Sequence, residues 1–170
     1  MNRYIQEANQ QFISAYNRYP IILDHGEGMY LYDIDGKRYL DFGSGIGVCG
    51  LGYHDPNYTR MLQGQIEKLL HTSNLFYNVP AIEAAKQFNQ AANMEQVFFT
   101  NSGAEAIEGA IKIAKKNHFL KYKNKNGEII AMKKSFHGRS MGALSITGQR
   151  REQYGAVKGV IIWNCGRTYG

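Results

Sequence analysis

Cysteine is scarce in this 170-residue sequence, which contains Cys49, Cys165 and no other. The two residues form no C-x-x-C pair and no regular framework of spacings. A small secreted domain held together by disulfides is therefore disfavoured. Reduced thiols in a cytoplasmic protein are the simplest interpretation of so few cysteines.

Long apolar runs are also missing. No stretch approaches the length that a helix needs to cross a bilayer, and the first residues, MNRYIQEANQ, contain no apolar segment of the signal-peptide kind. We therefore expect a cytoplasmic protein with no membrane partner.

Several familiar site motifs are absent or incomplete. No G-x-x-x-x-G-K-[ST] loop occurs, and the G-x-G-x-x-G match at residues 45–50 is followed by five further residues before Pro56 instead of opening into a helix. Cys49 with a histidine, or Ser135 with His137, lacks an identifiable third group that would orient a base. The five histidines show no metal-ligand spacing, so we expect no metal site.

The charge balance is positive, with 20 Lys and Arg against 14 Asp and Glu, a formal net charge of +6. Such a balance suits phosphate or carboxylate ligands. The densest basic run, residues 115–128, is interpreted as a solvated helix end followed by an Asn-Gly turn, so no nucleic-acid partner is expected. A basic nucleic-acid-binding α/β domain remains an alternative, and steeply salt-dependent binding would reveal it.

Local patterns predict the first half of the secondary structure. Apolar residues between 5 and 16 predict an amphipathic helix that ends before Pro20. The dipeptide Asp35-Gly36 lies between two alternating, tyrosine-rich runs and predicts a β-hairpin, after which a glycine-rich loop follows. Asp55 and Asn78 each precede a proline by one or two positions and predict two helix starts.

Residues 97–116, VFFTNSGAEAIEGAIKIAKK, switch abruptly from strand-forming to helical residues. Asn101 or Ser102 can cap the new helix, and Gly103 permits a sharp turn or a close approach. The first helical N–H groups then have no partner within the helix, so they would bind an anion. An ordinary capped surface helix is the alternative interpretation.

The order of elements from residue 97 is strand, helix, strand at 128–132, loop KKSFHGRS at 133–140, and an apolar run at 159–163. This order predicts a parallel α/β unit whose ligands lie at the carboxyl ends of the strands. Ser102 and the loop at 133–140 both follow such ends, so we expect them to face the same crevice.

The loop itself carries an aromatic and a guanidinium group. Phe136 could stack on a planar ligand, and Arg139 could clamp a carboxylate. A packed phenylalanine and a solvent-facing arginine are the alternative. Combined with an anion site at Ser102, Gly103 and Ala104, the loop indicates a phosphorylated planar ring as a common ligand.

Two separated motifs, TNSGAEAIEGAIKIAKK and KSFHGRSMGALSITGQ, resemble those of the class III, fold type I aminotransferases, which use pyridoxal 5'-phosphate. The stretches YLYDIDGKRYLDFGSGIGVCGLGY and LLHTSNLFYN are similar to the N-terminal segment of that family. The resemblance covers residues 3–155. It implies an α/β fold, with an N-terminal helix, hairpin and glycine-rich loop over residues 1–54. The start of a truncated large domain, a mainly parallel sheet flanked by helices, would occupy 55–170.

The resemblance also implies roles for individual residues. Ser102, Gly103 and Ala104 are expected to hold the cofactor phosphate, and Phe136 is expected to stack on its pyridine ring. Arg139 is expected to meet the substrate carboxylate. No definite role follows for the adjacent histidine.

The family acts as homodimers whose sites are built from both subunits. By resemblance, residues 43–47 and 72–74 would contribute at the interface. The implied reaction moves the terminal amino group of N-acetylornithine, or of a related ω-amino acid, to 2-oxoglutarate, within arginine biosynthesis.

Family members are much longer than 170 residues. Their second half supplies the lysine that binds the cofactor as a Schiff base and the aspartate that pairs with its ring nitrogen. Neither has a counterpart here, so no catalytic residue is assigned and we expect this chain to be inactive alone. The alternative is a non-catalytic, truncated relative that binds a phosphorylated ligand or a homologous subunit.

Overall fold

The computed structural model describes residues 2–124 and 126–148, together with the backbone of residues 160–163. The chain divides into two compact units, Met1–Tyr77 and Asn78–Gly170. The predicted division into 1–54 and 55–170 concerns domains of the family and stays a prediction, because compactness of the chain alone does not test it.

Among its described residues, the first unit contains two regular helices, a single short turn labelled α2 whose inner residues have left-handed backbone angles, and a three-stranded antiparallel sheet of order β1-β2-β3. Its elements are α1 (Arg3–Gln11), β1 (Leu23–Glu27), β2 (Tyr30–Asp33), β3 (Arg38–Leu40), α2 (Ser44–Gly47) and α3 (Pro56–Lys68). The hairpin predicted around Asp35-Gly36 is confirmed, with Tyr30 opposite Leu40 across β2 and β3.

The first helix is shorter than its apolar pattern predicts. It ends at Gln11, and Phe12 already has extended backbone angles of φ −103° and ψ 139°. The guanidinium of Arg18 lies 5.3 Å from the ring centroid of Phe12 and 5.8 Å from that of Tyr16. These aromatic residues therefore pack around a cation in an extended segment instead of continuing the helical stripe.

The glycine-rich loop after β3 is held by Asp41. Its Oδ1 accepts hydrogen bonds from the amides of Gly43 at 2.8 Å and Ser44 at 3.0 Å, and its Oδ2 accepts one from the Tyr53 hydroxyl at 2.5 Å. Ile46 within the loop has a φ of 63°, a conformation that β-branched residues rarely adopt. The loop is thus a defined turn, and its place in a subunit interface stays a prediction.

The second unit has an α/β arrangement in its described residues. Its elements are α4 (Val79–Ala92), α5 (Gly103–Tyr122), β4 (Ile129–Met132), α6 (Met141–Ile146) and β5 (Val160–Trp163). Strands β4 and β5 pair in parallel, with Ile129 opposite Val160 and Met132 opposite Trp163. Parallel pairing is thus present for β4 and β5, whereas the predicted unit of strand, helix and strand from residue 97 lacks its first strand in the described residues.

The helix starts agree with the sequence. Asp55 caps α3 by accepting a hydrogen bond from the Tyr58 amide at 2.7 Å. Asn78 caps α4 in the same way, accepting from the Ala81 amide at 2.9 Å. Capping is decided by residues within one turn of each other, so sequence alone predicts it well.

The strand predicted at residues 97–99 is wrong, because these residues join no sheet in the described part of the chain. Their aromatic side chains pack on helices instead. The Phe99 ring meets Phe88 of α4 edge to face at 6.0 Å, and Phe98 lies beside Gly109 of α5. A strand needs a neighbour with which to exchange backbone hydrogen bonds, and the described strands of this unit pair only with each other.

The best-packed region of the second unit surrounds α6. The buried apolar residues of the described chain are Ala131 of β4, and Ala143 and Ile146 of α6. Ser145 and Thr147 are buried beside them. This small core lies directly behind the loop at residues 133–140 and fixes where that loop begins and returns.

Candidate functional site

The first turn of α5 forms a capped helix start with open donors. Ser102 is the N-cap, and its Oγ accepts a hydrogen bond from the Glu105 amide at 3.2 Å. The Glu105 carboxylate reaches back to the Asn101 amide at 2.8 Å, a variant of the reciprocal capping box. Within the described residues, no acceptor faces the amides of Gly103 and Ala104.

This helix start fits a phosphate group in its donors and in its space. Two unpaired amides and the dipole of a 20-residue helix favour an anion. Among the residues not adjacent in the helix, a Cβ built on Gly103 would meet no atom within 4 Å, so no other described group packs on the side-chain side of this residue. The negative charge of the nearby Glu105 carboxylate disfavours a second anion. This carboxylate accepts hydrogen bonds from Asn101, however, and makes none with the amides of Gly103 and Ala104.

The loop at residues 133–140 is closed at its base by the segment after α6. The Lys134 amide donates to the Gly148 carbonyl at 3.1 Å, and the Gly148 amide donates to the Ser135 carbonyl at 3.0 Å. Deeper in the loop, the His137 amide donates to Thr147 Oγ1 at 3.1 Å. Thr147 is only 2% exposed, so a buried hydroxyl fixes the middle of the loop.

Gly138 brings the loop against the first turn of α5. Its φ is 126°, and a Cβ built on it would lie 2.6 Å from the Cβ of Ala104 and 3.2 Å from that of Ala143. Only glycine permits so close an approach at this φ. The loop and the first turn of α5 are therefore in contact, and the expectation that they face one crevice stays a prediction.

Phe136 and Arg139 stand on either side of that contact. The Phe136 side chain is 58% exposed, and the Arg139 guanidinium lies 5.6 Å from its ring centroid. The aromatic ring is therefore not packed in a core, and its stacking on a planar ligand stays a prediction. The roles assigned to Ser102, Gly103, Ala104, Phe136 and Arg139 remain predictions.

Glu108 is a residue whose importance the sequence pattern did not reveal, since its spacing suggested only a pair with Lys112 on the helix surface. Its Oε1 accepts hydrogen bonds from the Ser140 hydroxyl at 2.7 Å and from the amides of Gly142 at 2.8 Å and Ala143 at 3.1 Å. The pKa of Glu108 is lowered, first by the Ser140 hydroxyl and then by the Ala143 amide.

Residues 13–164 match the family model described as aminotransferase class-III. The chain belongs to the class III aminotransferase family. This class III sequence is 48% identical to the acetylornithine aminotransferase of Caldanaerobacter subterraneus over 143 residues. The aligned region covers 84% of this chain and 36% of that protein. It is 45% identical over 147 residues to the acetylornithine aminotransferase of Haemophilus ducreyi, covering 86% and 37%. The chain thus spans well under half the length of these curated relatives.

A solved transaminase shares the fold of this class III chain. The ornithine aminotransferase of Toxoplasma gondii superposes with a TM-score of 0.87 at 25% identity, over 95% of this chain and 39% of that one. The crystals of that enzyme have PLP at partial occupancy in the active site. The predicted α/β fold, as a segment of a fold type I transaminase, is confirmed.

Two further findings concern what the described residues contain. No helix among them is long and apolar enough to cross a membrane. The thiol of Cys49 is free, whereas Cys165 lies outside the described residues.

Proposed function

We propose that this chain forms the phosphate-binding and ring-binding part of a pyridoxal 5'-phosphate-dependent aminotransferase. The observation that carries the proposal is the open helix start at Gly103 and Ala104, against which Gly138 holds the loop of Phe136 and Arg139. Within the class III family, this combination of anion donors, an exposed aromatic ring and a guanidinium supports pyridoxal phosphate as the ligand.

Each of these residues has a proposed part in binding. The amides of Gly103 and Ala104 and the hydroxyl of Ser102 hold the phosphate, where the helix dipole favours its charge. Phe136 stacks on the pyridine ring and orients it. Arg139 receives the substrate carboxylate in the planar fork of its guanidinium. When bound, the cofactor supplies the electron-withdrawing ring that amino-group transfer requires.

The proposed substrates follow from the relatives. Both curated relatives are named acetylornithine aminotransferases, which favours N-acetylornithine or a related ω-amino acid as the amino donor. We propose 2-oxoglutarate as the acceptor, arginine biosynthesis as the pathway, a homodimer as the assembly and the cytoplasm as the location. Residues 43–47 and 72–74 are the proposed contributions to the dimer interface.

Cofactor binding by the purified chain tests the site. Pyridoxal phosphate should bind and be displaced by inorganic phosphate, because both ligands use the amides of Gly103 and Ala104. Phe136→Ala should weaken pyridoxal phosphate binding by about tenfold while leaving phosphate binding unchanged, since base or ring stacking on an aromatic contributes about 1–3 kcal/mol. Equal affinities for pyridoxal phosphate in the original chain and in this variant would contradict the stacking role.

Catalysis by this chain alone is a separate matter. We propose that it transfers no amino group by itself, because the residues that match the family's motifs bind the cofactor phosphate, its ring and the substrate but include no lysine in the family's context. Transfer from N-acetylornithine to 2-oxoglutarate by a purified chain verified to end at Gly170 would refute this.

A second candidate function is a non-catalytic relative that binds a phosphorylated ligand or a homologous subunit. A homologous subunit could cover apolar side chains that stand exposed in this partial chain, such as Phe42 at 91% and Tyr77 at 97%. An intact mass spectrum of the protein from its native source, taken after borohydride reduction, separates the two. The mass of the 170-residue chain without adduct would support the second candidate, and a longer polypeptide with one reduced pyridoxyl group would support the aminotransferase.

A further inference from the structure

Helix α6 has an unusual N-cap. Ser140 stands at the capping position but makes no side-chain hydrogen bond to its own helix. The amides of Gly142 and Ala143, which an N-cap side chain would ordinarily satisfy, donate instead to Glu108 of α5. The Ser140 hydroxyl also turns to that carboxylate. A residue more than 30 positions earlier in the chain therefore caps α6.

The surrounding residues are shaped to admit this carboxylate. A Cβ built on Gly142 would collide with the Glu108 carboxyl group, so glycine at this position is what allows the approach. Ala143 is fully buried in the presence of the Glu108 side chain, and its amide has that carboxylate as its acceptor. An unsatisfied amide in such a place is costly.

Electrostatics act in the same direction. The carboxylate stands at the positive end of the α6 backbone dipoles, where a negative charge is favourable. Lys112, one turn further along α5, also favours the ionised form of Glu108. These are the charged and hydrogen-bonding groups that face Glu108 in the described residues, together with Ser140, Gly142 and Ala143.

The position of Glu108 along α5 links the cap to the candidate site. Ala104 and Glu108 are four residues apart and share one face of the helix. Ala104 contacts Gly138 at the middle of the loop, while Glu108 holds Ser140 at its end. One helix face therefore fixes the loop at two places, on either side of Arg139.

We propose that Glu108 is a positioning residue that caps α6 from α5 and so holds the loop of Phe136 and Arg139 beside the open amides of Gly103 and Ala104. The ligand part of this inference rests on the proposed function. The structural part concerns only contacts within this chain, so the two can be tested apart.

Amide hydrogen exchange tests the structural part without any ligand. In Glu108→Ala, the protection of the Gly142 and Ala143 amides should fall by about tenfold or more, because hydrogen bonds to a charged group are among the stronger ones. Glu83→Ala is the matched control, since it removes a carboxylate from the exposed surface of α4 in the same unit. Its effect on these two amides should be absent.

A conservative variant covers the case in which Glu108→Ala fails to fold. Glu108→Gln keeps an acceptor oxygen at the same place and loses the charge, so it should retain part of the protection. Unchanged protection at Gly142 and Ala143 in a folded Glu108→Ala, or unchanged protection in Glu108→Gln where the alanine variant does not fold, would overturn the proposal.

Ligand affinities test the positioning role. Inorganic phosphate uses only the start of α5, whereas pyridoxal phosphate also uses the loop. Glu108→Ala should therefore raise the Kd of pyridoxal phosphate several-fold and leave the Kd of phosphate unchanged. A parallel rise in both constants, or no rise in either, would overturn the positioning role. If the original chain binds pyridoxal phosphate no more tightly than phosphate, the proposed function is wrong for this chain. Amide exchange at Gly142 and Ala143 still tests whether Glu108 caps α6.

Discussion

The starts of α5 and α6 both follow a serine, yet their first amides meet different partners. In α5 the Ser102 side chain caps its own helix, and the amides of Gly103 and Ala104 are left without an acceptor in the described residues. In α6 the Ser140 side chain makes no capping hydrogen bond to its own helix, and the amides of Gly142 and Ala143 donate to the carboxylate of Glu108. The start of α5 can therefore receive a ligand anion, whereas the start of α6 already holds one supplied by the protein.

This contrast shows that a helix start is a site only when its donors remain open. The same backbone chemistry serves ligand binding in one helix and loop anchoring in the other. The two are coupled through α5, because the helix that offers open amides at its first turn supplies the carboxylate one turn later.

The largest expected loss of stability comes from a methyl group added where the loop contacts the start of α5. Gly138→Ala should lower the free energy of unfolding by about 3 kcal/mol, because the added methyl would meet Ala104 and the φ of 126° is strained for any other residue. Urea denaturation measures the change.

Gly109→Ala is the control for this experiment. It lies within α5, where its Cβ would make ordinary contact with Phe98 at 3.6 Å. It should stabilise the chain by about 0.5–1 kcal/mol through helix propensity. Two glycine variants with equal effects would contradict the close approach at Gly138.

The next effect concerns the buried hydroxyl behind the loop. Thr147→Val should destabilise the chain by about 2 kcal/mol, because it leaves the His137 amide without its acceptor at nearly constant side-chain volume. Thr147→Ser keeps the hydroxyl and should cost only about 0.8 kcal/mol for the lost methyl. Thermal or urea unfolding measures the stability of both variants. A smaller loss of stability in Thr147→Val than in Thr147→Ser would contradict the anchoring of the loop by the Thr147 hydroxyl.

A smaller effect separates the two serines. Ser102→Ala removes the cap of α5 and should cost about 1 kcal/mol. Ser140→Ala should cost less, because Glu108 still caps α6 through the amides of Gly142 and Ala143. Unfolding free energies of the two variants test this order, and the reverse order would mean that Ser140 is the more important cap.

The smallest expected effect depends on pH. The pKa of Glu108 is lowered in the folded chain by Ser140, Ala143 and Gly142, so its stabilising contribution is complete above the unfolded pKa, about 4.3. The contribution is lost as the pH falls through the lower folded pKa. The difference in unfolding free energy between the original chain and Glu108→Gln should therefore be constant near neutral pH and shrink below about pH 4.

Comparing the unfolding free energies of the original chain and Glu108→Gln also separates Glu108 from other carboxyl groups that titrate at acid pH. Asp33 and Asp41 of the first unit have lowered pKa values too, the first through Tyr39 and the second through Tyr53, and they also lose their contributions on acidification. Because both proteins contain them, their effects cancel. A difference that grows on acidification would contradict the lowered pKa of Glu108.

Sequence alone predicted much of this molecule where the deciding groups are close along the chain. The caps at Asp55, Asn78 and Ser102 each involve an amide three residues on. The resemblance to the class III family rests on short contiguous motifs, and the family match over residues 13–164 confirms it.

The predictions that failed depended on side-chain packing, which apolar spacing along the chain does not specify. Residues 97–99 have strand-forming side chains, but strand formation requires a neighbouring ladder, and their aromatic rings pack on helices instead. The apolar pattern after Gln11 suggested a longer helix, yet Phe12 and Tyr16 gather around Arg18.

The sequence by itself determined the family, the helix caps and the residue types expected at the site, because each is encoded in local order along the chain. Only the tertiary structure decided that Gly138 lies on Ala104 and that Glu108 caps α6. The physical reason is that a carboxylate and an amide more than 30 residues apart carry no local mark of their pairing. Packing of α5 against the core behind the loop brings them within hydrogen-bonding distance.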